Sequence, residues 1–76
     1  MSNFTVGQTI VNTTPFTSLI GADFQAGRRF TVDLVGEVNT RARDEIGGCV
    51  VWIDNHYRHF AGTGLYGHGP SVAVAV

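Results

Sequence analysis

The chain has 76 residues, 14% of them charged, and its formal net charge is −1 at pH 7. The charged fraction lies well below the value of about 25% that is typical of soluble domains. The composition therefore excludes a disordered charged tail, and the balanced charges argue against a nucleic-acid or membrane-surface binder. A single cysteine, Cys49, excludes an intramolecular disulfide and a cysteine-based zinc site.

The first residues lack the basic and apolar segments of a signal peptide, and no apolar run approaches the length of about 18 residues that a membrane helix needs. We therefore expect residues 1–76 to form one domain that is synthesised in the cytoplasm. Valine, isoleucine and threonine, which favour extended backbone, are abundant and predict an all-β fold. The pattern indicates a small antiparallel sheet or barrel-like meander of about four strands. These strands are predicted at residues 4–11, 28–38, 49–60 and 71–76.

The first two predicted strands each have one apolar face. In the first strand this face contains Phe4, Val6 and Ile10. In the second strand it contains Phe30, Val32, Leu34 and Val38. Residues 16–27 between them are predicted to be an irregular connection, with a short helix left open because glycines interrupt its spacing. Residues 39–48 are predicted to form either one helical turn or the arm of a long hairpin.

The third predicted strand is apolar on both faces between Val50 and Ile53, and residues 72–76 alternate valine with alanine. A strand that is apolar on both faces needs other protein groups packed against both of them. The valine–alanine strand needs to pair with another strand, because an exposed apolar edge promotes aggregation. We therefore expect residues 50–53 and 72–76 to lie at contacts between copies of the chain. For Trp52 itself, a place in the core is favoured. The predicted interface residues are Val50, Trp52, Val72, Val74 and Val76.

Aromatic and polar side chains are concentrated between residues 52 and 68. Exposed aromatic rings beside amide and carboxylate groups can stack on a sugar and bond its hydroxyl groups. The same rings suit a protein interface equally well. The candidate ligand-binding residues are Trp52, Asp54, Asn55, His56, Tyr57 and Tyr66.

The three histidines and Asp54 are residue types that bind zinc. However, the alternation of a strand places His56 and His59 on opposite faces, so a solvated strand face is favoured over a metal site. Cys49 begins an apolar strand, where a small buried thiol is expected. No serine nucleophile motif is present, and we predict no catalytic residue, no metal, no cofactor and no enzymatic activity.

The arginines are dispersed and have acidic neighbours, as in the sequence around Arg41, Arg43, Asp44 and Glu45. This arrangement predicts surface ion pairs of small energetic weight and disfavours nucleic-acid binding. Residues 29–34 and 52–60 resemble two strands of galectins. The galectin sugar-binding signature is missing, and the chain is too short for the galectin sandwich. The resemblance therefore assigns no functional residue.

These observations favour a small all-β structural or interaction protein that forms a homo-oligomer or joins a larger assembly. A bacteriophage virion or decoration subunit is one example of such a protein. One alternative is a lectin-like module that binds a glycan through residues 52–68. Another is a small inhibitor of a host enzyme or defence complex. The expected partners are a second copy, another protein of the assembly or a glycan, and not a membrane.

Overall fold

The computed structural model describes residues 4–64 and 71–76, which form short strands and no helix. The strands are β1 (Thr9–Asn12), β2 (Phe16–Ser18), β3 (Asp23–Phe24), β4 (Arg29–Val35), β5 (Asn39–Asp44), β6 (Val50–Asp54), β7 (Gly62–Gly64) and β8 (Ala73–Ala75). All of the strand pairs are antiparallel. The predicted all-β antiparallel class is confirmed. Each of the four predicted segments corresponds to one shorter strand (β1, β4, β6 or β8), whereas β2, β3, β5 and β7 lie outside the predicted segments.

Five strands form the larger sheet in the order β6-β5-β4-β1-β8, and a second sheet has the order β3-β2-β7. Residues 58–61 join the two edges of the larger sheet. On one side they form backbone hydrogen bonds with Asp54 and Trp52 of β6. On the other side they bond to Ser71 and Ala73. Backbone hydrogen bonds therefore run around a small closed barrel.

A cluster of phenylalanine rings fills the interior. The Phe60 ring centroid lies 4.7 Å from that of Phe16 and 5.2 Å from that of Phe30, and all three side chains are fully buried. Phe24 adds a fourth ring, 5.2 Å from Phe16 and 5.1 Å from Phe30. Because Phe16 and Phe24 belong to β2 and β3, this cluster packs the second sheet onto the barrel.

A β-bulge at Asp33 changes which β4 residues face the core. The register between β4 and β5 shifts between Val32 and Leu34. Phe30 and Val32 are buried as predicted, but Leu34 is 44% exposed and Val38 is 70% exposed. The prediction of one apolar face from residue 30 to 38 is therefore wrong beyond Val32. An extra residue in one strand turns the following side chains to the opposite face.

Three other segments differ in detail from their predictions. Residues 16–27 contain the hairpin β2–β3 and no helix, and residues 39–48 contain the hairpin arm β5. The strand predicted at 49–60 ends at Asp54, where a turn begins. Val6, expected beside Phe4 in the core, lies in a turn before β1 and is 61% exposed.

A buried asparagine fixes the chain where it leaves β1. The Nδ2 group of Asn12 donates hydrogen bonds to the carbonyl oxygens of Thr14, at 2.9 Å, and Gln25, at 2.8 Å. Its Oδ1 atom accepts the backbone N–H of Arg28 at 2.8 Å. The side chain of Asn12 therefore ties the end of β1 to the segment that enters β4, and it satisfies three backbone groups in doing so.

Arg28 and Asp44 form a two-point ion pair, with Nε–Oδ1 and Nη2–Oδ2 distances of 2.7 and 2.9 Å. The Asp44 carboxylate is buried and also accepts the Gly47 N–H at 2.8 Å. The hydrogen bond from Arg28 lowers the pKa of Asp44 to about 2, although burial alone would raise it. This pair is therefore an exception to the predicted exposed ion pairs of small weight.

We expect the protein to lose stability as the pH falls from about 5 towards 2. Asp44 has an ordinary pKa of 3.8 and a folded-state pKa of about 2. Its ionised form therefore stabilises the folded state fully above the unfolded pKa, and this contribution, on the order of 1–2 kcal/mol, disappears as the pH falls through the folded pKa. Urea unfolding from pH 7 to pH 2.5 should show a shallower pH dependence in Asp44→Asn than in the wild type. Equal slopes would contradict this expectation.

Candidate functional site

The described surface contains an apolar groove of about 300 Å³ between the β2–β3 hairpin and strand β6. Its lining residues are Leu19, Ile20, Val50, Val51, Trp52 and Ala61. None of these residues carries a charge. A concentrated apolar surface of this kind is typical of a site that contacts another molecule.

One wall of the groove is the turn between β2 and β3. The Gly21 N–H donates to the Ser18 carbonyl at 3.0 Å, and the Ser18 N–H donates to the Ala22 carbonyl at 2.8 Å. This short loop places Leu19 and Ile20 at its tip, where they are 74% and 72% exposed. Tight turns are usually built from polar residues and glycine. Two exposed apolar side chains at this tip therefore favour contact with a partner.

The groove opens where the chain leaves β6 and joins the second sheet. Residues 58–61 bond to β6 as far as Trp52, and the chain then continues as β7, which pairs with β2. Gly62 lies at this crossing, opposite Ser18, with a φ of 153°. A Cβ atom at Gly62 would overlap the carbonyl oxygen of Thr17. The backbones of Gly62 and Thr17 therefore approach each other closely where β7 pairs with β2, one residue after Ala61 of the groove lining.

Trp52 lies on the outer face of β6 and is 38% exposed, whereas its neighbours Val51 and Ile53 are buried. Strand β6 is therefore apolar on both faces, as predicted, but only its inner face is covered by the core. The interpretation of Trp52 as a core residue is wrong. Its place at an oligomer interface, together with half-buried Val50, stays a prediction.

Two arginines of β5 lie beside the groove. Arg41 is opposite Trp52 in the register of β5 and β6. Arg43 is opposite Val50. Both guanidinium groups contact Asp33, with Nε–Oδ distances of 2.8 Å from Arg41 and 3.4 Å from Arg43, and the Arg41 bond lowers the pKa of Asp33. Because two positive charges share one carboxylate, this rim of the groove carries a net positive charge.

Asp54, a candidate ligand-binding residue, shapes the loop that follows β6. Its Oδ2 atom accepts the Tyr57 N–H at 2.6 Å, and its Oδ1 atom accepts the His59 N–H at 2.8 Å. Burial alone would raise the pKa of Asp54, but these backbone donors and the charge of His59 lower it below its ordinary value. Both oxygens of the carboxylate are thus engaged in holding the loop.

Asn55, a second candidate, is 7% exposed and braces a neighbouring turn. Its Oδ1 atom accepts the Thr40 hydroxyl at 2.6 Å, and its Nδ2 group donates to the Gly36 carbonyl at 2.7 Å. The Asn55 N–H also donates to the Val38 carbonyl at 2.8 Å. The polar atoms of Asn55 are therefore directed into the protein, where they hold the turn at residues 36–39.

The loop after β6 presents two aromatic rings to solvent. Tyr57 is 68% exposed, and its ring centroid lies 4.3 Å from that of His56 at an interplanar angle of 81°. Tyr66, the remaining candidate for ligand binding, lies outside the described residues, as does His68. In the described ranges 4–64 and 71–76, no group of three potential ligands could hold a metal ion. Of the five candidates that the structure describes, only His56 and Tyr57 therefore form an exposed ring pair.

The predicted interface valines at residues 72–76 do not lie beside the groove. Residues 58–61 separate β6 from β8 around the barrel. Val74 and Val76 are 40% and 70% exposed, and Val72 is half-buried. The two predicted interface segments therefore form separate surfaces.

Leu19 and Ile20 are not among the predicted site residues, although the residues around them indicate a hairpin loop. Two apolar residues followed by Gly21 stand between segments that can be extended, and a glycine at this place is typical of a three-residue hairpin loop. Once residues 16–27 are assigned to a hairpin, both side chains must lie at its tip. The approach of that tip to β6 depends on long-range packing, which local patterns do not reveal.

No family model matches the chain, and neither a curated protein nor a solved structure shows significant similarity to it. Within the part of the chain that the structure describes, there is no helix with the length and apolar character needed to cross a membrane.

Proposed function

We propose that this protein is a small structural or interaction protein that associates with further copies of itself through the apolar groove. The observation that carries the proposal is the groove between Trp52 and the turn tip formed by Leu19 and Ile20. Apolar side chains gathered in one concave, uncharged site favour contact with an apolar protein surface over contact with water.

Two properties of the whole chain support a second copy as the partner. A net charge of −1 gives little electrostatic repulsion between copies. A chain of this size also buries only about 60% of its unfolded surface, so covering the groove with another copy adds apolar burial that one subunit lacks. A repeating subunit of a larger particle, such as a bacteriophage virion or decoration protein, is the role we propose for such a chain.

Glycan binding is a second candidate function, and the exposed ring pair of His56 and Tyr57 on a loop held by Asp54 favours it. Inhibition of a host enzyme is a third candidate, in which the groove binds a foreign protein. Neither alternative requires contacts between copies of the chain. A monomeric wild-type protein would therefore favour them over the leading proposal.

We expect the wild-type protein to have a solution mass above 8.2 kDa at micromolar concentration. Leu19→Asp should weaken this association by about tenfold or more, because it places a carboxylate in an apolar contact. Light scattering on a sizing column measures the mass. The fluorescence of Trp52, the single tryptophan, reports whether the groove is covered.

Val6→Asp is the matched control, because Val6 is a 61% exposed apolar residue in a turn that does not line the groove. This variant should keep the wild-type mass. A wild-type protein that is monomeric at every concentration would exclude self-assembly. An undiminished mass of Leu19→Asp would exclude the groove as the contact.

A further inference from the structure

The groove and a second exposed apolar feature lie at opposite ends of the barrel wall. Strand β6 begins at Val50, which lines the groove, and ends at Asp54. The next residue, Asn55, bonds to the turn at residues 36–39, which connects β4 to β5. We call residues 36–39 the Val38 turn. A subunit therefore cannot fill its own groove with its own Val38 turn.

The Val38 turn is exposed at its tip and rigid at its base. Val38 is 70% exposed, and Glu37 is exposed beside it. The Gly36 N–H donates to the Asn39 carbonyl at 2.9 Å, and Asn55 bonds to both the Gly36 and Val38 carbonyls. A projecting side chain on a turn that is already held in one conformation loses little entropy when it binds. Two-residue hairpin tips usually contain asparagine, aspartate or glycine, so an exposed valine here favours a contact role.

The charges beside the two surfaces are complementary. At the groove, Arg41 and Arg43 share the single carboxylate of Asp33. At the Val38 turn, Glu37 has no ion pair with any of the residues 4–64 and 71–76. A turn that enters the groove with its valine can therefore place its carboxylate beside the groove arginines.

We propose that the Val38 turn of one copy docks in the groove of the next, with Val38 against Leu19 and Trp52 and with Glu37 facing Arg43. This inference rests on the proposed function and specifies its contact. Because the two contacting surfaces differ, the interface is heterologous and repeats from copy to copy. Such an interface produces a ring if the rotation between subunits closes, and an open filament if it does not.

Mixing two defective variants tests this arrangement. Leu19→Asp damages the groove and keeps the Val38 turn, whereas Val38→Asp damages the turn and keeps the groove. At a concentration where the wild type assembles but the weakened contact does not form, each variant alone should be a monomer of 8.2 kDa. An equimolar mixture should contain a dimer of two such chains and nothing larger, because only one productive contact remains. Both substitutions lie at exposed turn tips, and unfolding in urea checks that each variant is folded.

A mixture that stays monomeric, or a Val38→Asp variant that assembles like the wild type, overturns the docking proposal. If the wild type still assembles in that case, the proposed function stands with a different contact. A monomeric wild type overturns both. Glu37→Arg tests the charge pairing separately. It should weaken association by about tenfold at low salt and by less at high salt, and an unchanged affinity at low salt would exclude the Glu37–Arg43 contact.

Discussion

Replacing Gly62 by alanine should lower the free energy of unfolding by about 3 kcal/mol or more. The added Cβ would overlap the Thr17 carbonyl oxygen and would also lie 3.0 Å from the Thr17 carbonyl carbon and 3.1 Å from the Ser18 Cα. These are backbone atoms of a paired strand, so they cannot rotate away as a flexible side chain would. Relief requires β7 to separate from β2. A domain of this size has on the order of 5–10 kcal/mol of stability, so a loss of this size removes about a third of it or more.

Gly27→Ala is the matched control for backbone conformation. Gly27 has a φ of 82°, but a Cβ there would meet no atom within 4 Å. This variant should therefore lose only about 1–2 kcal/mol, which is the usual strain of an L-residue in the left-handed region. Unfolding in urea, followed by circular dichroism, measures both losses. Similar losses in the two variants would show that the backbone contact at Gly62 is not the cause.

Replacing Asn12 by alanine should lower the free energy of unfolding by about 3–5 kcal/mol. The side chain is 1% exposed and bonds to the carbonyls of Thr14 and Gln25 and to the N–H of Arg28. Truncation leaves three partly buried backbone groups without this partner, which places the expected loss at the lower end of the range for three unsatisfied groups. Each such group contributes a desolvation penalty of about 1–3 kcal/mol.

Two further variants make the Asn12 prediction specific. Asn39→Ala removes an exposed asparagine from β5 and should change stability by about 0.5 kcal/mol at most. Asn12→Asp keeps the acceptor for Arg28 but loses both donors, so it should remain strongly destabilised at neutral pH. Urea unfolding of the three proteins measures these differences. A stability of Asn12→Ala within about 1 kcal/mol of the wild type would contradict the prediction.

The sequence predicts the fold class well because its signal is repeated along the chain. β-branched residues and alternation identify the region of β4 and the apolar segment of β6, and both are strands in the structure. The details fail where one residue changes the pattern. The bulge at Asp33 moves Leu34 to solvent, and Val38 is exposed because it lies in the turn after β4. Alternation alone reveals neither an extra residue in a strand nor the place where the strand ends.

Only one of the two walls of the groove can be predicted from the sequence. The apolar outer face of β6, with Val50 and Trp52, follows from a run of apolar residues. The opposite wall, Leu19, comes from a hairpin about thirty residues away, and its approach to β6 depends on long-range packing that local patterns do not reveal. The roles of polar residues are also difficult to predict. The sequence around Asn55 does not show whether its amide group binds a ligand or holds a turn.

Barrel closure has a consequence for how copies of this chain can aggregate. An amyloid fibre grows by adding strands to a long open sheet edge. In the described barrel the larger sheet is joined at its edges by residues 58–61, and the outer strands of the second sheet, β3 and β7, have two and three residues. If the proposed assembly forms, side-chain contacts between folded barrels would therefore hold it together. Dilution should release folded subunits, since no backbone pairing needs to be broken.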